Sequence, residues 1–235
     1  MGLIQNPAAG SGSTVPLKGM RKMIAAKMSE SLQTAAQLTH HAECELTLLQ
    51  AKRAELKAAG SQVSLQDLLL FEIVCSLKNH PGLNATLQDN QITRHGSVHL
   101  GLAIPLPDDL LVAPALFDAD QLDAQGLALA RRALVDKSLS GKLSVKELTG
   151  ATVTVTNLGL SRVRFFTPIL NVPQVAIIGL GGIQRRLQRG ADGALSERDF
   201  MGLSLTFDHR AVNGAPAADF LDDLCKRIEG VGDRL

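Results

Sequence analysis

The chain has 235 residues, a length that suits one large domain or two small ones and that can bury a sizeable core. Its formal net charge is +1, and it has neither a strongly basic run nor basic residues interleaved with aromatic ones, so we expect no binding to nucleic acid and no general attraction to a membrane surface. Tryptophan and tyrosine are absent, and a core must therefore be built from leucine, valine, isoleucine and alanine.

The sequence indicates a protein of the cytoplasm. No stretch approaches the ~18 unbroken apolar residues of a membrane span, and no signal-peptide pattern is present. The cysteines Cys44, Cys75 and Cys225 are far apart in apolar or helical patterns, which is typical of buried free thiols in a reducing compartment. No pair of them has the spacing of metal ligands, so we predict no metal site.

The N-terminal part predicts a flexible segment followed by a helix. Residues 1–15 are rich in Gly, Ala and Ser and predict a linker or tail, which leaves 16–235 as the folded domain. Residues 17–32 carry apolar side chains at helical spacing and predict an amphipathic helix. Basic residues, Arg21 among them, lie at its start and on its outer side, and the lysines are most simply interpreted as a solvated face.

The next segments predict one strand and two helices. Residues 37–46 alternate as a strand, and residues 48–59 form a charged helix that Gly60 ends. Ser64 is a plausible N-cap for a second helix, which is largely buried and stops before Pro81-Gly82.

The middle of the chain predicts short strands and a third helix. Residues 86–104 resemble two or three antiparallel strands joined by polar turns. Residues 122–143 have apolar side chains at helical spacing. Strands and helices alternate without a regular βαβ rhythm, which predicts a mixed α/β two-layer sandwich.

Two further strands follow at residues 152–156 and 175–180. On the first, Thr152, Thr154 and Thr156 share one face, as is ordinary for cross-strand packing. The glycines after the second lack the full spacing of a dinucleotide-binding loop and the acidic residue that follows it. Close packing of the backbone is the better interpretation of Gly179, Gly181 and Gly182.

The segment Phe-Asp-His-Arg-Ala-Val-Asn-Gly, residues 207–214, lies between an alternating apolar strand and a predicted helix over 215–228. His209 therefore follows a rigid element and can face a cleft. A neutral imidazole is well suited to exchange protons near pH 7. By itself, however, a single histidine at a strand end is more often structural than catalytic.

The sequence around His209 resembles the signature of the acyltransferase component of 2-oxo acid dehydrogenase complexes, a family related in fold to chloramphenicol acetyltransferase. The start of the first helix, residues 17–28, resembles the beginning of the same acyltransferase domains. Thr-Asn-Leu-Gly at 156–159 and the run from Phe166 to Ile183 are also similar, and the resemblance spans about residues 16–230.

This resemblance implies transfer of an acyl group between dihydrolipoamide and coenzyme A. His209 corresponds to the general base, and Thr156, 53 residues before it, to the hydroxyl that donates a hydrogen bond to the oxyanion. The Asn-Leu-Gly sequence leans towards acetyl as the acyl group. Coenzyme A is then a substrate, and we expect the lipoyl group to be delivered by a separate domain that is not present in this chain.

The resemblance also implies an assembly. Members of the family form homotrimers in which the base and the hydroxyl of one site come from adjacent subunits, and the trimers often build cubic or dodecahedral cores. The implied partners are the lipoyl domain and the dehydrogenase subunits of the complex. The implied location is the cytoplasm, or the mitochondrial matrix in a eukaryote.

Asn213 separates two hypotheses. The family usually has an aspartate at this position, four residues after the histidine, where it pairs with the arginine that corresponds to Arg21; Gly214 completes the motif. Asparagine keeps hydrogen-bonding ability but loses the charge. The chain is accordingly either an active acyltransferase or a catalytically weak or silent core subunit that holds partners, and the retained His209 favours the first hypothesis.

Overall fold

The computed structural model describes residues 14–190 and 193–231, and all structural statements below concern these residues. The predicted linker, residues 1–15, lies outside them except for its last two residues. The α-helices are α1 (Gly19–Thr34), α2 (Thr47–Ala58), α3 (Leu65–Asn79), α4 (Ala124–Leu139), α5 (Val145–Thr149) and α6 (Gly214–Glu229). The strands are β1 (Gln37–Glu45), β2 (Ala85–Gln88), β3 (Gln91–Arg94), β4 (Leu100–Leu102), β5 (Ile104–Leu106), β6 (Leu110–Val112), β7 (Ala115–Leu116), β8 (Val153–Asn157), β9 (Ala176–Arg189) and β10 (Leu195–Asp208).

A six-stranded mixed sheet organises the molecule, in the order β1-β10-β9-β8-β4-β7. Strand β8 is parallel to both of its neighbours, whereas the other pairings in the sheet are antiparallel. This confirms the predicted mixed α/β class. The expectation of only antiparallel strands over 86–104 holds for the β2–β3 hairpin but is wrong for β4, which is also paired in parallel with β8. The direction could not be predicted because the alternation of apolar and polar residues shows which face of a strand each side chain occupies, and not whether the strand is parallel to its neighbour.

The helices form the second layer. Helix α6 packs against β1 and β10, and α3 lies against α6 and α4. As predicted, Ser64 caps α3, in a reciprocal capping box with Asp67. Phe220, Leu224 and Ile228 of α6 are fully buried, and side chains of this size each stabilise the fold by about 2 kcal/mol on burial. None of the helices described is long and apolar enough to cross a membrane.

Glycines allow residues 161–166 to cross directly over the sheet. A Cβ atom on Gly181 would lie 2.0 Å from the carbonyl oxygen of Arg164, and one on Gly202 would lie 2.1 Å from the same oxygen. A Cβ atom on Gly179 would meet the ring of Phe166 at 2.7 Å. A Cβ atom on Gly182 would lie 2.2 Å from the carbonyl oxygen of Ser161, so the interpretation of Gly179, Gly181 and Gly182 as sites of close backbone packing is confirmed.

Helix α1 occupies the predicted position but buries little of its apolar face against its own chain. Met20, Met23 and Leu32 are exposed, and Ser31 is the one residue of the helix that is fully buried. The Ser31 hydroxyl donates to the carbonyl of Leu170 at 2.6 Å. The prediction of an amphipathic helix is therefore right in location, but within one chain its apolar side is largely uncovered.

Candidate active site

His209 follows the last residue of β10, and its position is fixed through the backbone. Its N–H donates to the carbonyl of Ala36 at 2.8 Å, which ties the residue to the segment between α1 and β1. The side chain is exposed, and its ring lies 5.8 Å from that of Phe207. The imidazole is thus presented at the surface by a firmly held backbone.

Asp208 and Arg210 brace the turn that carries His209. The side chain of Asp208 is buried and accepts hydrogen bonds from the Arg210 backbone N–H at 3.0 Å and from its guanidinium at 2.6 Å. Burial raises the pKa of Asp208, but hydrogen bonds from Arg210 and the charge of its guanidinium outweigh burial and hold that pKa below its ordinary value. Neither residue is a predicted site residue, although an aspartate at the end of a buried strand, two residues before an arginine, was a usable signal.

Asn213 and Gly214 form the junction with α6. Asn213 occupies the N-cap position in an extended conformation, is exposed, and makes no capping hydrogen bond with its side chain. Gly214 packs beside His40, where a Cβ atom would lie 3.6 Å from the ring. The amide of Asn213 is therefore available to another group near His209.

Arg21 does not meet Asn213 within one chain. Its guanidinium donates to the carbonyl of Asp108 at 2.7 Å and lies 3.6 Å from the carboxylate of Asp109. These two aspartates form the turn between β5 and β6, next to α1. The expected support of Asn213 by Arg21 is accordingly not a contact of the single chain, because this acidic turn engages the arginine.

Thr156 lies near the end of β8 and lines a cavity of about 780 Å³. Thr154 of the same strand and Thr152, just before the strand begins, line the same cavity, and Ile24 and Met28 of α1 line it from another side. Within the described part of the chain, the Thr156 hydroxyl has no hydrogen-bond partner. It is therefore free to donate to a ligand.

A second cavity, of about 1030 Å³, lies beyond Thr156 in the chain. Asn157, Leu158 and Gly159 line this second cavity, and Ala103 contributes to both. The Thr156–Asn157 peptide thus separates two cavities, so that two different molecules could approach the Thr156 region from different sides.

Thr156 and His209 lie far apart within one chain. Thr156 pairs with Gly179, and Gly179 pairs with Ser204 of β10. His209 is five residues beyond Ser204, which corresponds to about 16 Å along the strand, and the two strand spacings between them add about 10 Å across the sheet. The histidine lies where β8 and β9 begin, whereas Thr156 lies near the end of β8, so one chain does not bring the two together.

Two histidines that are not among the predicted site residues, His95 and His99, also line the cavity of Thr156. They follow the β2–β3 hairpin, where the sequence predicts a polar turn at His95 and an alternating strand across His99. Among the described residues, no cluster of three or more side chains is suited to hold a metal ion.

Comparison with known proteins identifies the family. The family described as 2-oxoacid dehydrogenases acyltransferase (catalytic domain) matches residues 9–234. The dihydrolipoyllysine-residue acetyltransferase component of the acetoin cleaving system of Bacillus subtilis is 38% identical over 221 residues, which cover 92% of this chain and 55% of that protein. The chain spans about half the length of the curated relatives it matches.

Solved structures agree with this assignment. The cubic core of a pyruvate dehydrogenase multienzyme complex superimposes with a TM-score of 0.87 at 30% identity, covering 98% of this chain and 97% of that one. Dihydrolipoamide acetyltransferase from Azotobacter vinelandii gives a TM-score of 0.85 at 30% identity, with the same coverage. A chloramphenicol acetyltransferase, with a TM-score of 0.54 at 14% identity over 87% of this chain and 92% of its own, shares the fold.

The Azotobacter structure addresses the roles of a serine, a histidine and an asparagine in the catalytic mechanism of that enzyme. There the asparagine follows the histidine by four positions and the serine precedes it by 52. In the present chain Asn213 follows His209 by four positions, and Thr156 precedes it by 53. On the match over residues 9–234 and the relatives above, the chain belongs to the acyltransferase family of the 2-oxoacid dehydrogenases and contains its catalytic domain.

Proposed function

We propose that this chain transfers an acyl group, acetyl in the first instance, between the thiol of a dihydrolipoyl group and that of coenzyme A. The observation that carries the proposal is the free hydroxyl of Thr156 beside a peptide that separates two cavities. Two thiols can then reach one thioester carbonyl from opposite sides. The relatives named acetyltransferases support acetyl as the group transferred.

The chemistry needs a base and an oxyanion donor. His209 takes the proton of the attacking thiol, whose sulfur adds to the thioester carbonyl. Thr156 donates a hydrogen bond to the resulting oxyanion, a contact typically worth about 3 kcal/mol in the transition state. The tetrahedral intermediate then collapses, the other sulfur leaves, and His209 returns the proton to it. No covalent intermediate on the protein is required.

The site is completed between subunits in this proposal. Since Thr156 and His209 of one chain lie far apart, Thr156 works with His209 of the partner subunit, in the homotrimer that the family resemblance implies. The uncovered apolar side of α1 supports the presence of such an interface. Assembly into a larger cubic or dodecahedral core, delivery of the substrate by a lipoyl domain and contact with dehydrogenase subunits follow by analogy with the multienzyme core.

Asn213 supports an active enzyme over a silent core subunit. An asparagine at the same distance from the histidine belongs to the residues studied for their part in catalysis in the Azotobacter enzyme. The loss of the aspartate charge is therefore compatible with turnover. We assign the catalytic unit to residues 16–235, preceded by a linker over 1–15.

Transfer of acetyl from acetyl-coenzyme A to free dihydrolipoamide, measured together with the mass of the purified protein in solution, tests the proposal. We expect turnover by an assembly of three subunits or a multiple of three. Replacing His209 by Ala should lower kcat by about 1,000-fold, because the base is lost, with little change in coenzyme A binding. A folded oligomer without turnover on acetyl, propionyl, isobutyryl or succinyl donors would favour the core-subunit hypothesis.

A further inference from the structure

The cavity that contains Thr156 is longer than an acetyl group requires. Thr152, Thr154 and Thr156 all line it, and four residues of strand extend over about 13 Å. An acetyl group bound at Thr156 would occupy only one end. The remaining length can hold a chain that carries the thiol.

The far end of the cavity presents a hydrogen-bond donor. His99 lies opposite Thr152, whose N–H donates to the His99 carbonyl at 2.8 Å. The Nδ1 atom of His99 accepts a hydrogen bond from the N–H of Asp118 at 3.1 Å, so the neutral ring carries its proton on Nε2. Nε2 has no protein partner in the described part of the chain. It is thus free to donate to a ligand.

His95 keeps this end of the cavity polar but uncharged. Its Nε2 lies 3.1 Å from the Thr86 hydroxyl. Burial, and next the nearby His99, lower the pKa of His95 below its ordinary value. Such surroundings suit an uncharged carbonyl better than a carboxylate.

Between the two ends, the polar groups of the wall are engaged with one another. The Thr154 hydroxyl donates to Gln174 at 2.7 Å, and Asn171 donates to Thr154 at 3.2 Å. Gln174 in turn donates to the carbonyl of Ala151 at 3.0 Å. The rest of the lining is largely apolar, as with Phe166. Lys27 of α1, which is exposed, also lines the cavity. Along the strand side of the cavity, a free donor at each end is separated by polar groups that hydrogen-bond to one another.

An acylated dihydrolipoyl amide has the matching chemistry. About nine bonds, counted through the sulfur and the alkyl chain, separate its thioester carbonyl from its amide carbonyl. Since an extended chain advances about 3.5 Å for every three bonds, the two carbonyls lie roughly 11 Å apart. The arm of coenzyme A carries its first amide at about half that distance, where the Thr154 hydroxyl is already bonded to Gln174 and Asn171. An exposed cation lines each cavity, Lys27 here and Arg53 in the other, so the spacing of the two free donors, and not charge, carries the assignment.

We propose that His99, with His95 beside it, forms a subsite for the amide carbonyl of the dihydrolipoyl arm at the far end of the cavity of Thr156. The proposal rests on the acyl-transfer function above. It adds which residue recognises the end of the arm.

The test compares dihydrolipoamide with a dithiol of the same alkyl chain that lacks the amide, each with saturating acetyl-coenzyme A and the full chain. In the wild type, kcat/KM should be about tenfold higher for dihydrolipoamide, as expected for one hydrogen bond between uncharged groups. His99→Leu should abolish this preference while leaving kcat/KM for the amide-free dithiol and KM for acetyl-coenzyme A within about twofold. His99→Gln, which keeps a donor, should retain part of the preference.

His80 provides a matched control. Its side chain is 22% exposed, against 28% for His99, and each ring lies 3.7 Å from an aspartate carboxylate. Each also packs edge-on against a phenylalanine. His80 lies between α3 and α6 and does not line the cavity, so His80→Leu should leave the preference for dihydrolipoamide unchanged.

Three results would overturn the subsite. They are equal kcat/KM for the two dithiols in the wild type, an equal loss on both dithiols in His99→Leu, or a rise in KM for acetyl-coenzyme A in place of the dithiol. If His99→Leu does not fold, the wild-type comparison and His99→Gln decide the question. A wild type without turnover on either dithiol would instead overturn the proposed function, and the subsite with it.

Discussion

The position of His209 is fixed by its backbone and by neighbouring residues, and not by contacts of its imidazole. The backbone bond to Ala36 fixes its position, and the buried carboxylate of Asp208 holds Arg210 on the other side. Thr156 differs, because it lies on a central strand and its hydroxyl has no hydrogen-bond partner among the described residues. A residue that must bind a transient oxyanion gains from having no competing bond in the resting protein.

Asp208→Asn should lower the free energy of unfolding by about 2 kcal/mol near neutral pH, since the charge-assisted hydrogen bonds from Arg210 are lost. The pKa of Asp208 in the folded chain is below its ordinary value of 3.8, so its charge stabilises the fold above that pH. This contribution disappears as the pH falls from 3.8 through the folded-state pKa. Urea unfolding near neutral pH and below about pH 3 should show a difference that shrinks in acid.

The exposed Asp219 of α6 offers a control for the same measurement. Asp219→Asn should change stability by less than about 0.5 kcal/mol at either pH. A variant of Asp208 as stable as the wild type near neutral pH would show that this carboxylate does not brace the turn.

Sequence reasoning found the candidate catalytic residues through family resemblance, and chemistry alone would have left His209 among the structural histidines. The cavity histidines were missed for a physical reason. His99 reaches the cavity wall only because β4 pairs with β8, which brings residues 99 and 152 together from distant parts of the chain. Local periodicity carries no trace of that pairing.

At the level of elements, β8 determines where the candidate site can form. It is parallel to both β4 and β9, and it ends beside the crossing segment 161–166. Helices α3 and α6 and strand β8 could be predicted because capping residues and the spacing of apolar residues are local features of the sequence. The length of β9 was underestimated, since its second half is polar and pairs only with its hairpin partner β10.

Gly181→Ala should destabilise the protein by about 3 kcal/mol, because the new Cβ atom would lie 2.0 Å from a backbone oxygen that cannot move without shifting the crossing segment. Urea denaturation measures the change. Gly96→Ala is the control, since a Cβ atom there would have no neighbour within 4 Å, and its stability should stay near that of the wild type. Equal stability of both variants would show that the crossing segment is not packed as described.

For the whole molecule, a single chain is an incomplete enzyme on this account. It places the base and the oxyanion donor near opposite ends of the strands of one sheet, and it leaves the apolar side of α1 uncovered. Both features are explained if Thr156 forms one active site together with His209 of the partner subunit. Arg21 then also lies on a surface that other subunits can approach.

Complementation between inactive variants tests this claim most directly. His209→Ala and Thr156→Val subunits should each be nearly inactive as pure assemblies, since one lacks the base and the other the oxyanion donor. Subunits co-assembled in equal amounts should recover about a quarter of wild-type turnover, because random mixing joins an intact His209 to an intact Thr156 at about one interface in four. Thr156→Ser, which keeps the hydroxyl, should remain active alone. Mixed assemblies no more active than the two pure variants would show that each site is built within one chain and would contradict the account.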